Sequence, residues 1–182
     1  MATEPSNNAA AEQPIIINVQ YIKDLSFEAP SAPMIFAKMQ EEAPDMNVNV
    51  NVAANPIQDN TFETVLEINA TCKIKDEVAF IIELEYAGVF TINVPEGHIQ
   101  AVLLVECPRL LFPFARNILS DVSRDGGFPP LMLGVLDFAS MFQARLQEAE
   151  AAMAAGAKPN SAANKDGGEK DAAEKAPDKP AS

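Results

Sequence analysis

The chain has 182 residues, 48% of them hydrophobic, with a formal net charge of −13 and a pI of about 4.4. That is one-domain length with enough apolar material for a core without disulfides or metals. So acidic a surface is repelled by nucleic-acid phosphates and by anionic membranes, so a basic protein is the partner that suits it. Acidity that merely keeps the chain dispersed is the plainer alternative.

The segment Met1–Gln13 is polar, lacks the basic and apolar regions of a signal peptide, and reads as a disordered arm. Ile15–Ile22 is β-branched and apolar enough for a strand. Lys23–Glu42 holds Pro30 and Pro33 among Phe27, Met34 and Phe36, which suits a long crossover connection better than a central strand. Met46, Val48, Val50 and Val52 alternate with Asn47, Asn49 and Asn51, and Phe62–Lys75 and Val78–Ile92 alternate likewise. On the second of these strands Phe62, Thr64, Leu66, Ile68 and Cys72 share a face, with Val65 an exception; on the third, Val78, Phe80, Ile82, Leu84, Tyr86 and Phe90 do. Consecutive alternating strands with short turns predict an antiparallel sheet, and no helix between them predicts a doubly wound fold.

The second half is helical. Ile99–Glu106 predicts a short apolar helix ending near Pro108. Leu111, Phe114, Ala115, Ile118, Leu119 and Val122 predict an amphipathic helix, with Pro113 in its first turn and Gly126 and Gly127 at its end. Phe128–Leu136 holds Pro129 and Pro130 and should be extended; Asp137 is a good N-cap for a last helix carrying Phe138, Met141, Phe142, Leu146, Ala149 and Met153. Gly156–Ser182 has no aromatic and no aliphatic larger than Ala, and reads as a disordered Lys/Ala-rich tail. Its five Lys balance five acidic residues, so the acidity belongs to the rest of the chain.

No local signal marks catalysis. His98 is the one histidine, Cys72 and Cys107 form no CxxC pair, and no GxGxxG, Walker or GxSxG motif occurs. A metal, nucleotide or other cofactor is therefore not expected, and neither is an enzyme, though one working from the acidic face is the rival class. Two unpaired cysteines suit a reducing cytosol, and no apolar run approaches the ~18 residues of a membrane span. The feature that stands out is apolar material outside a simple core pattern: Ile81 and Val89 on the Glu83/Glu85 strand face, the crossover, and the Phe128–Leu133 loop. Together these could form a channel for extended chains, although core or oligomer contacts would use the same residues.

Tyr21-Ile-Lys-Asp-Leu-Ser-Phe-Glu-Ala-Pro30, Cys107-Pro-Arg-Leu-Leu-Phe-Pro-Phe-Ala-Arg116, Asp121-Val-Ser-Arg124 and Gly127-Phe-Pro-Pro-Leu131 resemble the motifs of the SecB family of export chaperones. Phe80–Phe90 is similar to the family's fourth strand, and the likeness runs from about Ile15 to Gln147. The resemblance implies an α+β domain over residues 14–155: a four-stranded antiparallel sheet with a crossover connection and helices packed on one face, assembling as a homotetramer, a dimer of dimers. It implies a cytoplasmic, ATP-independent holdase that binds unfolded secretory precursors in hydrophobic grooves and delivers them to the SecA motor. A chaperone of the same fold serving a toxin–antitoxin system is the alternative. Asp24, Glu28, Ile81 and Glu83 match the SecA-docking positions; Ile82, Leu84 and Tyr86 match assembly positions. Phe27, Met34, Phe36, Phe128, Leu131, Leu133, Met141 and Phe142 match the client groove. The long near-neutral tail departs from the family's short acidic ones.

Overall fold

The computed structural model describes residues 13–154; the arm expected at 1–13 lies outside them except for Gln13, as does the tail at 156–182. The described residues fall into two units, one ending at Arg145 and one beginning at Leu146. In the first, strands β1 (Ile15–Glu28), β2 (Asp45–Gln58), β3 (Thr61–Ile74) and β4 (Glu77–Ile92) form one antiparallel sheet in the order β1-β4-β3-β2. A single helical turn, α1 (Ile35–Lys38), lies in the connection that carries the chain from one sheet edge to the other.

The period-2 pattern sets the two faces. Leu66, Ile68, Ala70 and Cys72 of β3 stand opposite Tyr86, Leu84, Ile82 and Phe80 of β4, all buried on the helix side. The exception, Val65, points the other way and is buried nonetheless, in a row with Tyr21, Ala87 and Ala53. The Tyr21 hydroxyl donates to Glu63, two strands away, so its side chain must cross β4 over the small Ala87. Lys23 joins Glu63 at 2.9 Å.

Strand β1 is longer than its sequence pattern suggests, running through Glu28 rather than ending at Ile22. Register shifts at Asn18 and Lys23 break the alternation, and pairing with β4 over the whole length outweighs that irregularity. Phe27 therefore sits on a strand rather than in the crossover. A third shift, near Ala79, moves Val78 off the Phe80 face and opposite Lys73.

The helical half also departs from expectation at Pro108. Helix α2 (Glu96–Ala101) passes into a wide π turn (Val102–Glu106) and then into α3 (Cys107–Asp125) without a break. The Cys107 N–H reaches back five residues to the Val102 carbonyl, and this widened turn makes room for the Pro108 ring. The hydroxyl of buried Thr64 donates to the Leu103 carbonyl at 3.4 Å, satisfying a group on that turn. Pro113 consequently lies inside the helix, not in its first turn. Leu111, Phe112, Ala115 and Leu119 face the sheet, whereas Phe114, expected among them, is 53% exposed. Gly126 and Gly127 (φ 88°) end α3 as the sequence implies.

Asp137 opens α4 (Phe138–Ala154), accepting from the Ser140 N–H at 3.0 Å, and Phe138 packs edge-on to Phe112 at 5.9 Å. The acid's pKa is lowered by those Ser140 bonds. Arg145 donates to the Val52 carbonyl at 2.8 Å and to Asn51 Oδ1 at 3.0 Å. The second unit holds the end of α4, where Leu146 and Met153, expected on an apolar face, are exposed. Burial pushes the Cys107 thiol up to about 12 and raises that of Cys72, so neither is an activated nucleophile.

The Tyr21–Glu63–Lys23 cluster predicts how stability depends on pH. The Tyr21 hydrogen bond, with Lys23 after it, holds the Glu63 carboxyl below its ordinary 4.5 against the opposing pull of burial. A depressed carboxyl favours the folded state above its unfolded pKa, and that contribution is lost as pH falls through the folded value. Thermal unfolding followed from neutral pH to below 4.5 should show a steeper fall for the wild-type chain than for Glu63→Gln. Parallel profiles would refute the assignment.

Candidate functional site: an aromatic cluster and an acidic sheet face

Three residues expected to line a groove meet in one cluster. Phe27 from the end of β1 and Phe128 from the loop after α3 pack on Phe80 of β4 and on each other, and Phe36 from α1 packs on Phe128. Ring centroids lie 4.9 Å apart for Phe80–Phe128, 5.0 Å for Phe36–Phe128, 5.9 Å for Phe27–Phe80 and 6.2 Å for Phe27–Phe128, all within the range of favourable aromatic pairs. Phe80 and Phe128 are buried, while Phe27 and Phe36 are half-buried. Gly126 is the reason the loop comes so close: a Cβ there would fall 2.2 Å from the Phe27 ring.

The remaining groove candidates divide. Leu131 is buried, its N–H donating to the buried Ser123 hydroxyl at 2.8 Å. Leu133, Met141 and Phe142 are half-buried against the core, and Met34 is 72% exposed and stands apart from them. The crossover is strapped over the β3–β4 hairpin by ion pairs Lys38–Glu77 and Lys75–Glu42.

Two apolar hollows were not foreseen. One, of about 680 Å³, lies between β2 and the α2–π segment, walled by Val52, Phe62, Ile99 and Leu103 with Glu96 and Arg145 at its rim. The other, of about 640 Å³, lies between α3 and the loop before α4, walled by Phe112, Pro113, Val135 and Phe138 with Arg109 and Arg116 beside it. Both require segments far apart in the chain to come together, and no local pattern reports that.

The opposite sheet face is polar and acidic. Asp24, Glu85 and Glu67 form a row across β1, β4 and β3, with Asn51 of β2 donating to Glu67 at 2.9 Å. The next rows place Glu83 beside Ser26 and Asn69, and Glu28 beside Ile81 and Thr71. The sheet thus gathers Asp24, Glu28, Ile81 and Glu83 on one face, and adds Glu85, read from the sequence only as sharing the Glu83 strand face, and Glu67, which was not among the docking positions. Among the described residues no cluster of three His, Cys, Asp or Glu could hold a metal ion.

A third surface is apolar. Ile17, Ile22 and Leu25 of β1, on the helix side of the sheet, are 42%, 48% and 37% exposed, and Leu110 and Phe114 of α3 are 39% and 53% exposed. Tyr86 borders this strip, its ring 6.3 Å from that of Phe114 and its hydroxyl donating to Gln20 at 3.3 Å. Ile82 and Leu84 lie beneath, buried in the core.

Comparison with known proteins places this architecture. The family model for "Preprotein translocase subunit SecB" matches residues 8–149. The chain belongs to the SecB family. Among its relatives, the protein-export protein SecB of Rhodospirillum rubrum is 51% identical over 164 residues, covering 90% of this chain and all of the relative. That of Mesorhizobium japonicum is 47% identical over 152 residues, covering 83% of this chain and 90% of the relative. A solved SecB-like chaperone of Mycobacterium tuberculosis, in complex with a peptide from the HigA1 antitoxin, shares the fold at a TM-score of 0.57 and 15% identity, over 67% of this chain and 90% of its own. SecB is a protein-export chaperone family, not an enzyme class. Among the described residues, no helix is long and apolar enough to cross a membrane.

In this SecB chain the aromatic cluster is structural as well as exposed at its edge. Phe128 touches three other rings and is only 4% exposed, so Phe128→Ala should cost about 3–5 kcal/mol of stability. Urea unfolding measures this; a loss within the ~0.5 kcal/mol typical of surface sites would show that the cluster does not hold the loop down.

Proposed function

We propose that the chain is an ATP-independent holdase that binds unfolded secretory precursors through apolar side chains on the helix side of its sheet and hands them to SecA from the opposite face. The observation that carries this reading is the separation of two surfaces. Apolar hollows and half-buried aromatics lie on one side, and rows of carboxylates lie on the other. A client recognised by burial and a partner recognised by charge can then be engaged at once. Several weak apolar sites in series would give strong net binding through effective concentration, and a client that folds hides its apolar segments and escapes.

On this reading Asp24, Glu28, Glu83 and Ile81 dock a basic segment of SecA. Phe27, Phe36, Phe128, Leu133, Met141 and Phe142 contribute to the client groove, with Met34 and Leu131 at its margins. The functional domain spans residues 14–155, between an arm and a Lys/Ala-rich tail, and works in the cytoplasm, where its buried free thiols stay reduced. The exposed strip on β1 and α3 is the surface through which copies associate, as a dimer of dimers. Tyr86 borders that strip, whereas Ile82 and Leu84 influence assembly through the packing of α3 on the sheet. Service to a toxin–antitoxin pair is a second reading, favoured by the antitoxin-peptide complex of the Mycobacterium tuberculosis neighbour. The far higher identity to export proteins supports the export reading.

Two experiments test this. The purified chain, without nucleotide, should suppress aggregation of a reduced, unfolded precursor measured by light scattering; no suppression at molar excess would end the holdase reading. Charge reversal at Asp24 and Glu28 together should weaken SecA binding at least tenfold while aggregation suppression is unchanged, since several exposed charges on one docking face act together on association. Equal loss of both activities would mean that the pair supports folding rather than recognition.

A further inference from the structure

Arg145 joins the two sides of the sheet. It lies in the first part of α4, where Met141 and Phe142 pack half-buried against the core, and it forms part of the wall of the hollow beside β2. β2 is an edge strand of the sheet, and the guanidinium spans that edge. Its Nη1 donates to the Val52 carbonyl at 2.8 Å and its Nη2 to Asn51 Oδ1 at 3.0 Å. Val52 is buried on the helix side, whereas Asn51 stands in the acidic-face row with Glu67, Glu85 and Asp24. The same Asn51 amide donates from Nδ2 to Glu67 at 2.9 Å. One side chain thus accepts from a cation on one side and donates to an anion on the other. Arg145 has no carboxylate of its own among the described ion pairs, so Glu67, acting through the amide, is its counter-charge. Hydrogen bonds in such a chain polarise and strengthen one another.

We propose that the Arg145–Asn51–Glu67 chain couples the two surfaces: a basic side chain that lands on the acidic face loosens α4 beside the hollow. This names a regulation of the two-surface reading above and rests on it. Glu67 shares its row with Glu85 and Asp24, and like charges opposite one another on neighbouring strands favour the arrival of a cation. A lysine or arginine that pairs with Glu67 draws the carboxylate away from Asn51 and leaves the amide a poorer acceptor for Arg145. Arg145 then keeps only its Val52 bond, and the wall it supplies gives way. The hollow exists with Arg145 in place, so the latched state is the one that holds an extended apolar chain, and loosening the latch weakens that hold. The coupling is reciprocal, so a chain lying in the hollow changes the affinity of the acidic face by the same factor. The element with two arrangements is the first part of α4, while strand pairing keeps the sheet beneath it fixed.

The test uses the full-length chain, an oligolysine peptide as the basic probe and an uncharged, apolar, extended peptide as the probe of the hollow, all at fixed ionic strength. In the wild type, oligolysine should speed hydrogen exchange of the amides of residues 138–145 about fivefold, the scale of one net hydrogen bond. It should weaken binding of the apolar peptide, read by fluorescence anisotropy, by a similar factor. Asn51→Ala should lose both responses while still binding each peptide alone. Arg145→Lys, which keeps the charge but not the two-pronged donor, should lose them too. Asn49→Ala, one row away beside Asn69 and Glu83, should keep them. Responses absent from the wild type, persisting in Asn51→Ala or Arg145→Lys, or lost in Asn49→Ala as well, would overturn the inference, because the coupling would then be missing or would run by another route. If the apolar peptide binds the wild type and only the coupling is missing, this inference alone falls; if the peptide does not bind at all, the two-surface reading falls and the inference with it.

Discussion

The structure depends on covering one face of a four-stranded sheet from one end of the chain to the other with a single unbroken helical segment. The strands β3 and β4 supply a continuous inner row of Leu66, Ile68, Ala70, Ile82 and Leu84, and α3 seals it with Leu111, Ala115 and Leu119, all buried. One helix is narrower than four strands. The edge strands are therefore left with apolar side chains on the covered side of the sheet that α3 does not reach: Ile17, Ile22 and Leu25 on β1, Met46 and Val48 on β2. A protein selected only for solubility would place polar residues there. Retaining apolar groups at both edges is what supports the proposed use of this sheet as a surface for other chains.

The uncovered face follows the opposite logic. Its cross-strand rows bring carboxylates within reach of one another, which weakens the sheet slightly unless something compensates. Part of the compensation is local: Asn51 donates to Glu67, and Tyr21 and Lys23 both engage Glu63. Asp24, Glu83 and Glu85 have no such partner among the described ion pairs, so their charge stays available to a basic partner. Six carboxylates, Asp24, Glu28, Glu63, Glu67, Glu83 and Glu85, thus stand on one face of the sheet, where fixed charge can steer an encounter more effectively than the same charge on a flexible segment.

The π turn ties these features together. By absorbing Pro108 without breaking the helix, it joins α2 to α3 in one continuous helical run, whose Ile99 and Leu103 line, with Val52 of β2 and Arg145, the hollow of about 680 Å³. A helix stopped at Pro108 would free the α2 segment from the sheet and open that hollow to solvent. Such wide turns are often found at functional sites, and here the turn shapes a wall of the proposed groove.

Much of this was legible in the sequence. The alternation of β2, β3 and β4 named their faces, the glycine pair ended α3, Asp137 announced α4, and motifs such as Cys107-Pro-Arg-Leu-Leu-Phe-Pro-Phe identified the family. These are properties of neighbouring residues, where sterics and hydrogen bonding act over a few positions. What only the tertiary structure decided depends on partners distant in the chain. The bulges that carry β1 through Phe27 exist because β4 pairs with it, and the helix passes Pro108 because the sheet holds both sides of the turn. Phe27, Phe36 and Phe128 were named as groove residues one at a time, but that Phe27 and Phe128 pack on Phe80 and Phe36 on Phe128 follows from bringing four separate segments into one space. No local pattern encodes such a meeting of distant segments, because each ring's neighbours lie far from it in the chain.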